Sequence, residues 1–189
     1  TQGELFFSRL EKAQEIVGIC KSKSNALHKD IRSVLDKEDF GNDFDIAITS
    51  PPYATALPYI DTQRLSLVWL GLCDPKEINP LEAMLIGSRE FKKKQTQVQW
   101  SEDLLINVND LPKSIWEFCC TLQNGLSDTD GFRRQAMPGL LYRYFSDMKT
   151  AFLSVKKCLK SQAPFVLIVG HNRTTIGGKK YDIDTPALL

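Results

Sequence analysis

The sequence predicts an α/β protein with a largely parallel sheet flanked by helices, and three observations carry that expectation. Two apolar runs of strand type, residues 44–49 and 165–169, are separated by helix-patterned sequence, the order of a parallel sheet. The second run is apolar throughout, as strands covered on both faces are. Polar residues follow both runs directly, where open sheets of this kind place their ligands.

Element by element, residues 4–17 carry Leu5, Phe6, Leu10, Ala13 and Val17 at helical spacing. A basic, serine-rich turn occupies 21–25. Residues 26–28 read as a short strand ending at Asp30, residues 31–35 as a helical turn, and 37–43 as a polar loop. After the strand at 44–49, Pro51 and Pro52 force a corner. Residues 59–72 then read as a helix burying Ile60, Leu65, Val68, Trp69 and Leu72, ended by Asp74-Pro75. Pro80 suits the first turn of a short helix to about residue 86.

Residues 87–99 are polar and basic and read as a loop, with three lysines at 92–94. A helix is expected over 112–122 and a polar loop over 123–134. The longest helical pattern runs from 139 to 159 and buries Leu140, Tyr144, Phe145, Met148, Phe152, Val155 and Leu159, before Ala163-Pro164 breaks it. Beyond the second strand, 170–180 reads as a loop and 181–183 as a short strand. Thr185 is the expected N-cap of a last helix, with Pro186 at its first position. No internal repeat or low-complexity segment interrupts this order.

At 189 residues the chain is one domain or a large piece of one, and its 42% apolar content can build a core. No apolar run approaches the ~20 residues of a membrane span. Without a signal-peptide pattern, a cytoplasmic protein is expected. The five cysteines lack Cys-x-x-Cys spacing, and only His28 and His171 accompany them. Reduced, semi-buried thiols are therefore expected rather than a metal site. A net charge of +1 counts modestly against a full DNA-recognition surface. The chain opens at Thr1 and ends on Ala187-Leu188-Leu189, which reads like the start of another element, so an incomplete fold is expected.

The most specific stretch is residues 45–53, Asp-Ile-Ala-Ile-Thr-Ser-Pro-Pro-Tyr. Each proline fixes its own φ, lacks an N–H and biases the residue before it towards an extended shape. A stiff corner with an aromatic beside it results. It resembles the Asp/Asn/Ser-Pro-Pro-Tyr/Phe motif of amino methyltransferases that use S-adenosylmethionine. Ser-Pro-Pro-Tyr-Ala-Thr-Ala-Leu-Pro-Tyr-Ile-Asp, Leu-Ser-Leu-Val-Trp-Leu-Gly and Leu-Ile-Gly-Ser-Arg-Glu together look like one branch of bacterial and archaeal DNA N4-cytosine/N6-adenine methyltransferases. The likeness is specific over 45–72 and weaker through Val166-Leu-Ile-Val-Gly and the Asp-Ile-Asp-Thr segment near the end.

The chemistry of such a corner follows from its atoms. The exocyclic nitrogen of cytosine or adenine is a poor nucleophile, because its lone pair is delocalised into the ring. If the Ser50 side chain and the Pro51 carbonyl accept its two hydrogens, the nitrogen is pushed towards tetrahedral geometry and its lone pair can meet a sulfonium methyl. This is orientation with fixed dipoles, and it needs neither metal nor covalent intermediate. Tyr53 would stack on the base, which must first leave the duplex.

The resemblance implies a Rossmann-like methyltransferase fold over residues 1–189, with a helical or loop insertion at about 73–135. It implies catalytic roles for Ser50, Pro51, Pro52 and Tyr53, and cofactor contacts from Asp30, Thr49 and Ser50. Tyr53, Tyr59, Arg64, Arg89, Lys92 and Lys93 become candidates for facing nucleic acid, although a short lysine run is more usually a solvated loop. His171, Asn172 and Arg173 either line the pocket or cap the sheet.

The family's glycine-rich cofactor loop, of the Asp-Pro-Phe-x-Gly-Ser-Gly type, is nowhere in these residues. Members of the family are circularly permuted, so that loop can lie on either side of this segment. The expected partners are DNA and either a cognate restriction endonuclease or a complementary methylase segment. Serine in the first motif position favours cytosine N4 over adenine N6. An RNA or protein-glutamine N-methyltransferase is an alternative that Ser50 and the Leu-Ser-Leu-Val-Trp-Leu-Gly helix oppose. The other is a non-catalytic, subunit-type methylase fold that binds nucleic acid.

Overall fold

The computed structural model describes residues 2–18, 26–33, 44–55, 59–91 and 93–189. The chain divides into a unit of residues 1–30 and one of 31–189. In the first, α1 (Gln2–Val17) ends where Gly18 adopts φ +71° and its N–H reaches the Gln14 carbonyl at 2.8 Å. Glycine supplies that left-handed turn without a Cβ penalty. Residues 26–30 are exposed and form no strand with any of the described residues, so the strand expected at 26–28 is not formed.

The second unit runs β1 (Ala47–Thr49), α2 (Tyr59–Trp69), α3 (Ile78–Met84), α4 (Lys94–Leu105), α5 (Lys113–Asn124), α6 (Phe132–Cys158), β2 (Phe165–Leu167), β3 (Asn172–Ile176), β4 (Lys179–Ile183) and α7 (Thr185–Leu188). The central helix is α6. From Pro138 to Ser146 every residue is buried, as in a helix enclosed on all sides. Helices α4 and α5 pack on it, and β3 touches it from another side. Leu104, Ile115, Cys119, Leu122, Leu141, Tyr142, Phe145 and Met148 share one core with Ile176 and Ile183 of the hairpin.

Several elements depart from the sequence expectation. Helix α6 starts at Phe132 rather than 139, and so takes in Pro138, which pattern reasoning treats as a breaker. Burial of its flanks offsets the missing hydrogen bond. The polar segment 87–99 is partly helical, because α4 covers 94–105. Its apolar stripe is sparse: only Leu104 is buried and Trp100 half-buried, an i, i+4 pair on lysine- and glutamine-rich sequence of good helix propensity. Helix α2 does not bury the stripe expected of it: Ile60 is buried, but Leu65, Trp69 and Leu72 are exposed. The last helix is capped one residue early, by the Asp184 carboxylate accepting from Ala187 N–H at 3.3 Å. Expectations at residues 21–25 and 37–43 fall outside the described residues.

The sheet is smaller than expected. Strands β1 and β2 pair in parallel, Ala47 with Phe165 and Thr49 with Leu167, extended by a bridge from Phe44 to Leu159. Phe165 meets α6 through Phe152, edge-on at 5.3 Å. The other face, with Ile46, Ile48, Val166 and Ile168, is exposed, so the second run is not covered on both faces.

The segment expected to be a loop after β2 forms instead an antiparallel hairpin, β3–β4, closed by Gly177 and Gly178 at φ +54° and +74°. Two positive φ values in a two-residue turn match the right-handed twist of the flanking strands. The turn docks on Asp130, whose carboxylate accepts from Gly177 N–H at 2.7 Å and Ser127 N–H at 3.0 Å, with Arg134 at 3.6 Å. Those backbone donors chiefly, and Arg134 secondarily, hold its carboxyl below the ordinary carboxylate value. A depressed folded-state pKa contributes stability above the unfolded value and loses it as pH falls through the folded one. Thermal unfolding of Asp130→Asn should therefore show a lower Tm than wild type at neutral pH, with the gap closing below about pH 4. A constant gap across that range would refute the assignment.

Four cysteines among the described residues are free thiols. Burial, then the neighbouring Cys120, pushes the Cys119 thiol up to about 12, so it serves as packing. Among the described residues no cluster of His, Cys, Asp and Glu could hold a metal, and no helix is long and apolar enough to cross a membrane.

Candidate active site

The corner after β1 is built by the sheet ladder and by its failure. Ala47 N–H donates to the Pro164 carbonyl at 3.0 Å, and Ile168 N–H to the Thr49 carbonyl at 2.9 Å. Every second residue of β1 thus faces β2. The next in that series is Pro51, which has no N–H to give the Ile168 carbonyl. The Ser50 hydroxyl takes its place, donating to that carbonyl at 3.1 Å. A side chain completes the ladder where the backbone cannot.

The remaining walls come from distant sequence. Pro51 is buried and Pro52 half-buried. Tyr144, on the buried face of α6, donates its hydroxyl to the Pro52 carbonyl at 2.9 Å. Burial first, and nearby Tyr59 second, raise that phenol far above its ordinary value, so it stays protonated as a donor. Gly87 lies against the corner at φ +79°, where a Cβ would come 2.9 Å from the Tyr53 carbonyl oxygen. Next to it, Arg143 is buried, donates to the Ser88 carbonyl at 3.2 Å and lies 4.9 Å from the centre of the Phe91 ring.

On the opposite side Gly170 lies against the Tyr53 ring, where a Cβ would stand in ordinary contact at 3.5 Å. Tyr53 N–H donates to the Tyr59 hydroxyl at 2.8 Å, and Asn172 Nδ2 to the Ala54 carbonyl at 2.9 Å. The bend closes at Thr55, buried and at φ +53°, a strained position for a β-branched residue.

Of the residues singled out by sequence, Thr49, Ser50, Pro51, Pro52, Tyr53 and Tyr59 meet here, joined by Gly170 and Asn172. Arg64 is exposed on α2 and pairs with Asp61 at 3.4 Å. Arg89 is exposed two residues beyond Gly87, and Lys93 is exposed at the start of α4; Lys92 lies outside the described residues. Asp30 is an exposed residue of the other unit. His171 faces Asp184 at 3.3 Å and Arg173 pairs with Asp182 across the hairpin at 2.6 Å. Sequence reasoning missed Tyr144 as a site residue. Its signal was a hydroxyl inside an apolar stripe, since a buried tyrosine needs a polar partner.

Behind the prolines lies a cavity of about 300 Å³ lined by Thr49, Pro51, Pro52, Ile86, Met148 and Phe152 among others. Among the described residues its lining includes no acidic side chain, the group a ribose is usually held by.

The chain is similar to Type II methyltransferases. Over 132 residues it is 28% identical to the Type II methyltransferase M.AvaI of Nostoc sp. (strain PCC 7120 / SAG 25.82 / UTEX 2576). The protein of the same name from Anabaena variabilis matches equally, the aligned part being 69% of this chain and 27% of the relative. The chain thus spans about a quarter of the length of the curated relatives it matches. No protein-family model and no solved structure matches it. The mixed α/β architecture, with helices around a small parallel sheet, is compatible with a methyltransferase fold.

Proposed function

We propose that this chain carries the base-holding part of a DNA methyltransferase that modifies an exocyclic amino nitrogen, cytosine N4 in preference to adenine N6. The reading rests on the Ser50–Tyr53 corner: its ladder is completed by Ser50, its carbonyl at Pro52 is tied by Tyr144, and its aromatic ring remains 37% exposed beside Gly170. The 28% identity to Type II methyltransferases supports it. Ser50 Oγ and the Pro51 carbonyl accept the two amino hydrogens of an extruded base, and Tyr53 stacks on its ring.

S-adenosylmethionine is the proposed methyl donor, with Asp30, Thr49 and Ser50 as its proposed contacts in a Rossmann-like domain. A glycine-rich loop from outside these 189 residues would belong to the same site. Residues 73–135 are the proposed insertion, and Tyr53, Tyr59, Arg64, Arg89, Lys92 and Lys93 are the residues proposed to face nucleic acid.

The test is transfer of a labelled methyl group from S-adenosylmethionine to DNA by the natural polypeptide that bears this segment, followed by digestion to nucleosides. Ser50→Ala and Tyr53→Ala should each lower transfer roughly a hundredfold, the scale of losing one oriented polar contact in the transition state. Unchanged transfer in both variants would remove the site. The missing glycine loop favours one other reading, a nucleic-acid-binding subunit without catalysis; it predicts DNA binding with no labelled nucleoside at all.

A further inference from the structure

We propose that α2 pairs antiparallel with α2 of a second copy of this chain, the Trp69 ring of each seated in a hollow beside the other's α2. The proposal is independent of the methyl-transfer reading and stands on a helix face that its own fold leaves bare.

The sequence marks Leu65, Trp69 and Leu72 as an apolar stripe at helical spacing, yet in the structure these three and Leu70 are between 64% and 84% exposed. Isolated exposed leucines are ordinary, but large apolar residues gathered over 65–72 form a patch. Taking about 100 Å² for a leucine and about 200 Å² for a tryptophan side chain, they leave on the order of 400 Å² bare. Patches of that size on single chains are commonly interaction sites. Two such faces buried together, with their polar rims, reach the roughly 1,000 Å² that a specific interface needs.

The identity of the partner is read from the hollow next to the patch. It measures about 470 Å³ and is lined by Leu65, Val68, Pro75 and Ile78, together with Asp61 and Arg64. An apolar lining with one acid and one guanidinium suits a flat apolar ring that bears an N–H. The indole of Trp69 is such a ring: its face attracts a guanidinium, and its N–H needs an acceptor once buried. Arg64 and Asp61 supply both. They pair with each other at 3.4 Å with more than half of each side chain exposed, so little holds them together. Stacking uses the face of Arg64 and leaves its N–H fork to Asp61 or to a phosphate.

Trp69 does not line the hollow of its own chain and stays exposed. It lies about 12 Å along the helix from Asp61. In an antiparallel pair the Trp69 end of one α2 therefore meets the Asp61–Arg64 end of the other, and a two-fold axis makes that contact twice. A parallel pair would set Trp69 against Trp69 and leave both hollows empty. Because α2 begins at Tyr59, which holds the Tyr53 N–H, the assembly carries two proline corners.

Light scattering of the full chain from about 1 to 200 μM tests this, since wild type should approach twice the 21.4 kDa chain mass with a Kd of about 50 μM or tighter. Trp69→Ala should weaken association at least about thirtyfold, as loss of a central aromatic anchor does, and Arg64→Ala by about three- to tenfold. Ile106→Ala removes a comparably exposed apolar residue outside the patch and should leave association unchanged. All these side chains are exposed, so the fold does not depend on them. Tryptophan emission of wild type should move to shorter wavelength as the chain associates, and that of Trp69→Phe should not.

A wild type that stays monomeric throughout, the result also expected of a face reserved for another protein or for nucleic acid, overturns the proposal. Association that Trp69→Ala leaves intact, or that Ile106→Ala weakens as much, does the same. Loss in Trp69→Ala with none in Arg64→Ala, or no emission shift, overturns the seating of Trp69 in the hollow.

Discussion

Gly177→Ala is expected to destabilise the protein by about 2–5 kcal/mol, through two separable costs. The residue sits at φ +54°, where an alanine Cβ crowds its own backbone for about 1–2 kcal/mol. The Cβ would also overlap the Gly125 carbonyl oxygen at the end of α5, a backbone atom that cannot swing aside. Relieving such overlap typically costs about 1–3 kcal/mol. Gly178 provides the control: it has φ +74° but nothing within 4 Å of a Cβ. Gly178→Ala should therefore lose only the conformational part. At about 2–4 °C per kcal/mol for a chain of this size, thermal unfolding resolves the two. Equal Tm losses would mean that the hairpin tip is not seated on α5.

That hairpin also shows where sequence reading stops. Gly177-Gly178 between two short runs is a recognisable two-residue turn, but Asn-Arg-Thr-Thr-Ile and the two lysines after the turn look like loop by composition, so the short strand read at 181–183 covers just part of β4. Only the alternation ending in buried Ile176 and Ile183 marks them as strands, and five residues give that period little weight. Helix α4 was hidden for a related reason, since lysine and glutamine favour helix without advertising a buried face. At Pro138 the local rule lost to tertiary burial. The trace of β1 into its corner was legible because apolar β-type residues and two prolines all constrain the backbone in the same direction.

The candidate site divides in the same way. Ser50, Pro51, Pro52 and Tyr53 are contiguous, so one motif holds them, and Tyr59 lies within reach of it along the chain. Tyr144 and Gly87 reach the corner through packing from α6 and from the turn after α3. Ninety-two residues separate Tyr144 from Pro52, and nothing local encodes that bond. The Leu-Ile-Gly-Ser-Arg-Glu segment stood out as part of a resemblance, while its physical task emerges only in three dimensions: a glycine allows backbone to lie on backbone.

Gly87→Ala is therefore expected to damage both stability and the corner. At φ +79° its Cβ would lie 2.9 Å from the Tyr53 carbonyl oxygen, 3.5 Å from Pro52 Cβ and 3.8 Å from a ring carbon of Tyr144. Strain and overlap together should cost about 2–4 kcal/mol. Because the obstructed atom is the main-chain carbonyl of Tyr53, which follows two prolines and is bonded to Tyr59, the overlap can be relieved only by moving that stretch. The motion stretches the Tyr144–Pro52 and Tyr59–Tyr53 hydrogen bonds, so Gly87→Ala should also lower the labelled methyl transfer expected of the intact corner. Gly71 separates backbone strain from this contact, since it has φ +67° and open space around a Cβ. Gly71→Ala should lose about 1–2 kcal/mol and keep the methyl transfer, as a left-handed position requires and no more. Should the two alanine variants prove alike in Tm and in methyl transfer, the segment after α3 would not be what holds the proline corner in place.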